Sequence, residues 1–486
     1  MGGAGSLTYL GLDLGTSGVK ALLINAEQKV VASATAPLDV ARPHSGWSEQ
    51  EPADWISACT RAQQELGTKA NLASVAGIGL SGHMHGATFV DSDGSALRPC
   101  ILWNDTRSHK EAAELDANPF FRTQSGNIVF PGFTAPKAVW VARNEPDIFA
   151  KTAKILLPKD YLRFWLTGEY VSEMSDAAGT SWLDTGRRDW SSELLGACGL
   201  TRSHMPDLVE GSDVSGHLRA DLAEKLGLPP QVPVAGGAGD NAASAIGVGV
   251  VRPGEAFLSL GTSGVLFAAN EGYAPDPDTA LHTFCHAIPG TWHQMGVILA
   301  ATDALNWYAG WVGSDPAALT NELDDLQAPG RTLFLPYLGG ERTPHNDAKV
   351  RGALIGLEHA TDRSAGTRAV LEGVSFALAD SLHAMKGTGT DLSHVLAVGG
   401  GAQSRYWLQL IATLMDVPIS VPEGSELGAA FGAARLGMMA AGALTEADLT
   451  APPIADQFEP DPSLSAAFSD AHARYKASYI ALKDLS

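Results

Sequence analysis

A short segment occurs twice in this chain of 486 residues. Leu12-Asp-Leu-Gly-Thr-Ser-Gly-Val19 and Leu258-Ser-Leu-Gly-Thr-Ser-Gly-Val265 agree at seven of eight positions and start 246 residues apart, about half the chain. Each copy reads as strand, tight turn and strand, because apolar runs flank a Gly-Thr-Ser-Gly quartet able to reverse the chain. A recurrent hairpin turn would explain one copy alone. The offset points further, to two similar halves that each offer a turn to one shared cleft. The length also exceeds what one hydrophobic core holds, which agrees with two large lobes.

Around the first copy the pattern is α/β. Leu7–Leu14, Val19–Asn25 and Val30–Ala36 read as a three-stranded antiparallel meander. Ser48-x-x-Glu51 followed by Pro52 reads as a capping box, opening a helix with Trp55, Ile56 and Cys59 on one face. Val75–Gly82 reads as a buried strand, giving the order β-β-β-α-β. Later, Val232–Ala235 is a strand entering Gly236-Gly-Ala-Gly-Asp240, with a helix from Asn241. Val395–Val398 empties into Gly399-Gly-Gly-Ala402, and Ser404 can cap a helix carrying Trp407, Leu408, Ile411, Leu414 and Met415. The chain closes in a polar helix. No low-complexity linker separates the halves; the expected boundary falls at residues 232/233, within a soft region from Gly211 to Pro233.

Charge and cysteine usage exclude several classes. The 54 carboxylates against 33 Lys and Arg give a net charge of −21, which opposes binding to nucleic acid or anionic membranes. Cys59, Cys100, Cys198 and Cys285 form no CxxC pair, so neither a disulfide framework nor a zinc knuckle is indicated, and a reducing cytoplasm is expected. Met1 to Ser6 lacks the features of a signal peptide and reads as a short tail; no apolar run is long enough to span a bilayer.

Three glycine-rich turns could present backbone N–H groups to phosphate: Gly15 to Gly18, including Thr16 and Ser17; Gly261 to Gly264, including Thr262; and Gly399 to Gly401. The dipeptide Gly-Lys is absent, which excludes a Walker A loop, and no GxGxxG follows a strand. Asp13 ends its strand beside a turn, where it either binds a cation such as Mg²⁺ next to phosphate or caps its own turn. The second copy has Ser259 at that place, so only one lobe would hold the metal. Asp240 is presented by small residues as a general base or as a helix N-cap. Gly82-His-Met-His-Gly86 offers imidazoles for a metal or for sugar hydroxyls. His282-x-x-Cys285-His286 reads as part of a hairpin turning at Pro289-Gly290, which disperses a zinc face. Trp103-Asn-Asp-x-Arg107 suits a sugar site, or a structural Trp beside a surface salt bridge.

These motifs in this order resemble the FGGY carbohydrate kinases, and within them the branch that phosphorylates the open-chain ketose D-xylulose. The matching segments also include Pro131–Lys137, Leu157-Pro-Lys-Asp160, Ser175–Thr180, Gly239-Asp-Asn241, Gly340–His345 and Gly399–Ala402. The resemblance implies two ribonuclease-H-like (actin-like ATPase) lobes, each a mixed sheet flanked by helices, with ATP and sugar in the cleft between them. Residues 7–232 would be the sugar and magnesium lobe and 233–486 the nucleotide lobe. It further implies ATP as co-substrate with Mg²⁺, and Asp240 as the base acting on the C5 hydroxyl. Asp13 would lie near the metal, with Met84, His85, Trp103 and Asn241 against the sugar. Gly15, Thr16, Ser17, Gly261, Thr262, Gly400, Gly401 and Ala402 would contact ATP. Glycerol kinases carry a different first loop and lack Met-His-Gly. His83 departs from the branch pattern, which has Gln there. The rival expectations are a kinase for another ketose or polyol, such as ribulose, and an actin- or chaperone-like ATPase that needs no sugar. Oligomeric state is not legible, with a homodimer left open.

Overall fold

The structure, a computed structural model, describes residues 7–424 and 427–485, so the reading of Met1 to Ser6 as a tail lies outside the described residues. It contains two compact units. The first comprises the chain up to Val251 together with Phe284–Trp292 and Gly424–Ala451. The second comprises Arg252–Thr283, His293–Glu423 and the chain from Pro452 on.

The first unit is built on a seven-stranded mixed sheet. Its strands are β1 (Thr8–Gly15), β2 (Gly18–Asn25), β3 (Val30–Pro37), β4 (Val75–Gly82), β5 (Val214–His217), β6 (Pro233–Ala235) and β7 (Ala238–Gly239). The order is β5-β6-β4-β1-β2-β3, with β7 continuing alongside β4. The expected meander is present: β1, β2 and β3 are antiparallel, and β4 then joins β1 in parallel. A single division at 232/233 does not match this unit. β6 pairs with β5 on one side and β4 on the other, so residues just past the expected boundary, Asp240 included, belong to the first unit.

The two faces of this sheet follow from the strand period of two. Leu10, Leu12 and Leu14 of β1 with Ile78 and Leu80 of β4 pack into a core that includes Trp55, Ala58, Cys59 and Ala62 of helix Pro52–Lys69. The alternate positions are Tyr9, Gly11 and Asp13 on β1 and Gly77, Gly79 and Ser81 on β4. This second face receives helices Asp240–Val248 and Ala429–Ala440. The approach is backbone to backbone. A Cβ at Gly11 would meet the Ala430 carbonyl oxygen, one at Gly77 that of Gly437, and one at Gly79 that of Ala433.

The expected capping box at Ser48-x-x-Glu51 does not form. Glu51 is the N-cap residue of helix Pro52–Lys69, without a side-chain cap, and Pro52 takes the first helical position. Ser48 is diverted because Glu49–Gln50 is held extended against Cys100–Ile101, and its N–H donates to Asp105 Oδ2 at 2.6 Å.

The sheet of the second unit comprises β8 (Glu255–Leu260), β9 (Gly264–Asn270), β10 (His282–Cys285), β11 (Trp292–Ile298), β12 (His394–Val398), β13 (Ile419–Pro422) and β14 (Ile454–Phe458). Its order is β10-β11-β9-β8-β12-β13-β14. The central pattern repeats that of the first unit. β8 is antiparallel to β9 and parallel to β12, as β1 is to β2 and β4; β13 is parallel to β12, and β14 antiparallel to β13. The duplicated octapeptide therefore marks a duplicated topology. Helices Arg363–Gly387, Arg405–Met415 and Ser465–Leu482 complete this core, and the last of them, polar in sequence, buries Phe468, Ala471 and Tyr475. Among the described residues no helix is long and apolar enough to cross a membrane.

The glycine contacts make one substitution carry opposite signs at two places. Gly79→Ala forces the helix off the sheet and is expected to destabilise the first unit by about 3 kcal/mol. Gly196→Ala, in an exposed helix with open space around its Cβ, is expected to stabilise by about 0.5–1 kcal/mol. Urea unfolding midpoints of the two variants should move in opposite directions from wild type.

Candidate active site

Three parallel strands of the first unit end together. Register pairs Asp13 of β1 with Ser81 of β4, and Ser81 and Gly82 of β4 with Ala238 and Gly239 of β7. The segments leaving these ends are the Thr16-Ser17 turn, His83-Met84-His85, and Asp240-Asn241. The C-terminal edge of parallel strands is the usual position for ligand sites in α/β folds. Asp13, Met84, His85, Asp240 and Asn241 are thus brought to one edge, Asp13 on the face that also carries helix Asp240–Val248.

Asp240 is the first residue of that helix; Gly239 is the N-cap residue, so Asp240 is not the cap. Its Oδ1 accepts from Asn241 N–H at 2.8 Å and Asn241 Nδ2 at 3.1 Å. Asn241, expected against the sugar, donates one side-chain N–H to this carboxylate. Burial, reinforced by the negative charge of Asp13 and partly offset by the Asn241 bonds, pushes the Asp240 carboxyl up to about 6. Burial also raises Asp13, against the Ser81 hydroxyl and Lys20 ammonium, which lower it. Asp13 Oδ1 is buried without a hydrogen-bond partner. A hard oxygen donor left unpaired beside a second carboxylate fits an octahedral divalent cation such as Mg²⁺.

His85 occupies the left-handed region at φ 70°, unusual for a residue with a Cβ. Its Nδ1 lies 2.7 Å from the Gly179 carbonyl, which can only accept, so Nδ1 carries a proton. The ring stacks on Phe133 with centroids 4.3 Å apart. The His85 carbonyl in turn accepts from Lys137 Nζ at 2.8 Å and Thr134 Oγ1 at 3.1 Å. Met84 is buried and lies where a Cβ on Gly239 would fall, which ties the Met-His pair to the segment bearing Asp240. His83 faces elsewhere. It is 3 % exposed, packs edge-on to Trp55, has neither ring nitrogen hydrogen-bonded, and is held neutral by burial at about 3.

Trp103 is 47 % exposed, and its Nε1 donates to Thr16 Oγ1 at 3.0 Å, linking the indole to the first phosphate-type turn. The Asp105–Arg107 pair beside it is structural and buried rather than on the surface. Arg107 bonds Asp105 and Glu49, with its guanidinium 3.6 Å from the Trp47 ring centre. Lys137 closes the family segment Pro131–Lys137 but was given no role from the sequence. It is fully buried, donates also to Gly132 O at 2.6 Å, and is pushed down to about 7 by burial. The signal was a lone Lys in the apolar run Phe133–Val139.

The second unit carries the other glycine segments. Gly261 and Thr262 form the turn between β8 and β9, where their carbonyls accept from Ala301 and Thr302 N–H groups. β12 runs parallel to β8, and Gly399, at φ 93°, lies where a Cβ would strike the Leu260 carbonyl. Gly400, Gly401 and Ala402 therefore adjoin the Gly261-Thr262 turn. A groove of about 850 Å³ continues from Gln403, lined also by Asn321, Asp325, Arg405, Tyr406 and Phe458. His282 and Cys285 lie on strand β10 rather than a helix face, as the hairpin reading requires. Among the described residues the group with metal-ligand proximity is Asp380, His383 and His472; there Asp380 already bonds His472 at 2.8 Å and lies 3.5 Å from Lys476.

The chain matches the N-terminal domain of the FGGY family of carbohydrate kinases over residues 8–247 and the C-terminal domain of that family over residues 256–441. It belongs to the FGGY family of carbohydrate kinases. It is 48% identical over 438 residues to the xylulose kinase of Escherichia coli (strain K12), covering 89% of this chain and 90% of that protein. It is similar to the solved structure of a "xyloylose kinase" from Brucella ovis, with a TM-score of 0.97 and 61% identity over 99% of this chain and 100% of that one. The xylulose kinase of Rhodospirillum rubrum superposes with a TM-score of 0.92 at 30% identity, covering 98% of this chain and 99% of that one.

The site electrostatics are testable without substrates. In aspartate-labelled protein the Asp240 carboxyl carbon should titrate near pH 6. Asp13→Asn removes the neighbouring negative charge and should move that midpoint down; an unchanged midpoint would mean the two carboxyls do not interact.

Proposed function

We propose that the chain transfers the γ-phosphoryl group of ATP to the C5 hydroxyl of D-xylulose, giving D-xylulose 5-phosphate and ADP, with Asp240 as general base. One observation supports the reaction above others: a carboxyl raised to about 6 stands beside a second carboxyl, at the strand ends that also carry Met84 and His85. The relatives described as xylulose kinases, together with the Met84-His85 pair, support the ketose.

In this reading His85 hydrogen-bonds a sugar hydroxyl, and Met84 and Trp103 supply apolar walls. Gly15, Thr16, Ser17, Gly261, Thr262, Gly400, Gly401 and Ala402 hold ATP through backbone N–H groups and hydroxyls. The C5 oxygen bonds to the γ-phosphorus as the bond to the bridging β,γ-oxygen breaks, and its proton passes to Asp240. A carboxyl near 6 is ionised at neutral pH yet basic enough to take that proton. Mg²⁺, when bound, neutralises charge on the phosphates, and the Asp13 carboxylate is the group that would hold it. Four free, buried cysteines support a reducing, cytoplasmic setting.

Asp240→Ala should lower kcat for xylulose phosphorylation by about 10²–10⁴-fold with the fold intact by circular dichroism. Turnover near wild type would refute the base assignment. In wild type, kcat/KM should fall as pH drops below about 6, where Asp240 gains its proton. For Asp13→Asn, magnesium-dependent turnover should be lost while xylulose binding, followed by calorimetry, persists. A coupled ADP-release assay over xylulose, ribulose and glycerol tests the substrate: xylulose should give the highest kcat/KM, and a higher value for another acceptor would reassign it.

A further inference from the structure

The segment that delivers Asp240 is almost without side chains. Gly236-Gly237-Ala238-Gly239 leads directly into it, with Gly237 at φ 76°. Two side chains grip this segment at its ends. Arg163 Nη2 donates to the Gly236 carbonyl, and the Gly239 N–H donates to Ser175 Oγ at 3.0 Å.

Both grips belong to one buried ring of contacts. Ser175 Oγ lies 2.9 and 3.0 Å from the two Glu173 oxygens. The hydroxyl proton goes to that carboxylate, leaving a lone pair aimed at Gly239 N–H. Glu173 also accepts the N–H groups of Ser175 and Asp176 at 2.7 and 2.9 Å. Lys159 Nζ lies 3.5 Å from Glu173 and 2.8 Å from Asp160, and Asp160 accepts Arg163 Nη1 at 2.7 Å. The path from Gly236 through Arg163, Asp160, Lys159, Glu173 and Ser175 to Gly239 is thereby closed, and each of these charged side chains is completely buried. A third carboxyl, Asp176, lies 3.4 Å from Lys159 but accepts no hydrogen bond on either oxygen, and burial holds it far above the usual carboxylate range. The ring holds the segment that bears Asp240 through the hydrogen bonds to Gly236 and Gly239.

We propose that Ser175 and Arg163 are positioning residues for Asp240, clamping the glycine segment at both ends so that the carboxylate stands at a fixed place on the strand edge. The inference rests on reading Asp240 as the base. Burying two cations and three carboxyls is costly, and a merely stable core would be served as well by apolar residues. What an apolar core lacks is a directed donor and acceptor for the backbone of a segment that has no side chains of its own.

Ser175→Ala and Ser175→Cys, the latter close in volume but a poor acceptor, test this together, the second serving where the first does not fold. Each is expected to lower kcat about tenfold, the scale of one lost hydrogen bond at a catalytic group. KM for xylulose and for ATP should stay within about twofold, and the acid limb of the pH profile should remain near 6. A kcat within about twofold of wild type in either folded variant overturns the proposal, as does a loss that appears in KM instead. Asp240→Ala, assayed alongside, separates the two readings. If it retains turnover there is no base to position and both fall; if it is inactive while the Ser175 variants are normal, the positioning role alone falls.

Discussion

The first unit depends on backbone meeting backbone without side chains between. Helix Ala429–Ala440 lies against β1 and β4 at a distance that only Gly11, Gly77 and Gly79 permit. On the same two strands, one pleat further along, the positions that would be glycine by continuation are Asp13 and Ser81. The face that brings a helix close at its middle thus presents polar groups at its end. Helix Asp240–Val248 shares the arrangement, since a Cβ on Gly432 would meet the Ala243 carbonyl. The position of Asp240 is therefore set partly by packing at Ala243, about one turn further along its helix.

Against that scaffold the electrostatics divide in two. At the strand edge, Asp13 and Asp240 are raised by burial and, for Asp240, by each other's proximity, which leaves basicity available there. Behind it, Lys159, Asp160, Arg163 and Glu173 are paired in a fully buried cluster. Buried cations are thus paired where they support the segment, while at the edge a carboxyl is shifted by burial and a like charge, the pattern expected of a functional group.

Much of this was legible in the sequence because it rests on local chemistry. The duplicated octapeptide gave the two β-hairpins, and Gly236–Asp240 gave the strand-to-helix turn. What was not legible depended on partners distant in sequence. Ser48 followed the rule for a capping box, yet pairing of Glu49–Gln50 with Cys100–Ile101 outbid it. Asn241 was read as a ligand contact, and its hydrogen bond to the neighbouring Asp240 was not legible. The boundary at 232/233 failed because strand pairing, not composition, decides which unit Pro233–Ala235 joins. His83 could not be told from His85 by pattern, although one faces Trp55 and the other Gly179.

The first unit has a further property, which concerns the order in which it can be made. Its sheet is complete once β7 has been synthesised, yet the helix that covers the Gly11, Gly77 and Gly79 stripe is Ala429–Ala440, nearly two hundred residues downstream. During translation the part of this face covered by helix Ala429–Ala440 would stay bare beside helix Asp240–Val248 until almost the whole chain has left the ribosome. Because ribosomes add about 5–20 residues per second, that interval lasts on the order of ten seconds or more. The glycine stripe suits this delay, since it offers a nascent chain few apolar side chains by which to misassociate.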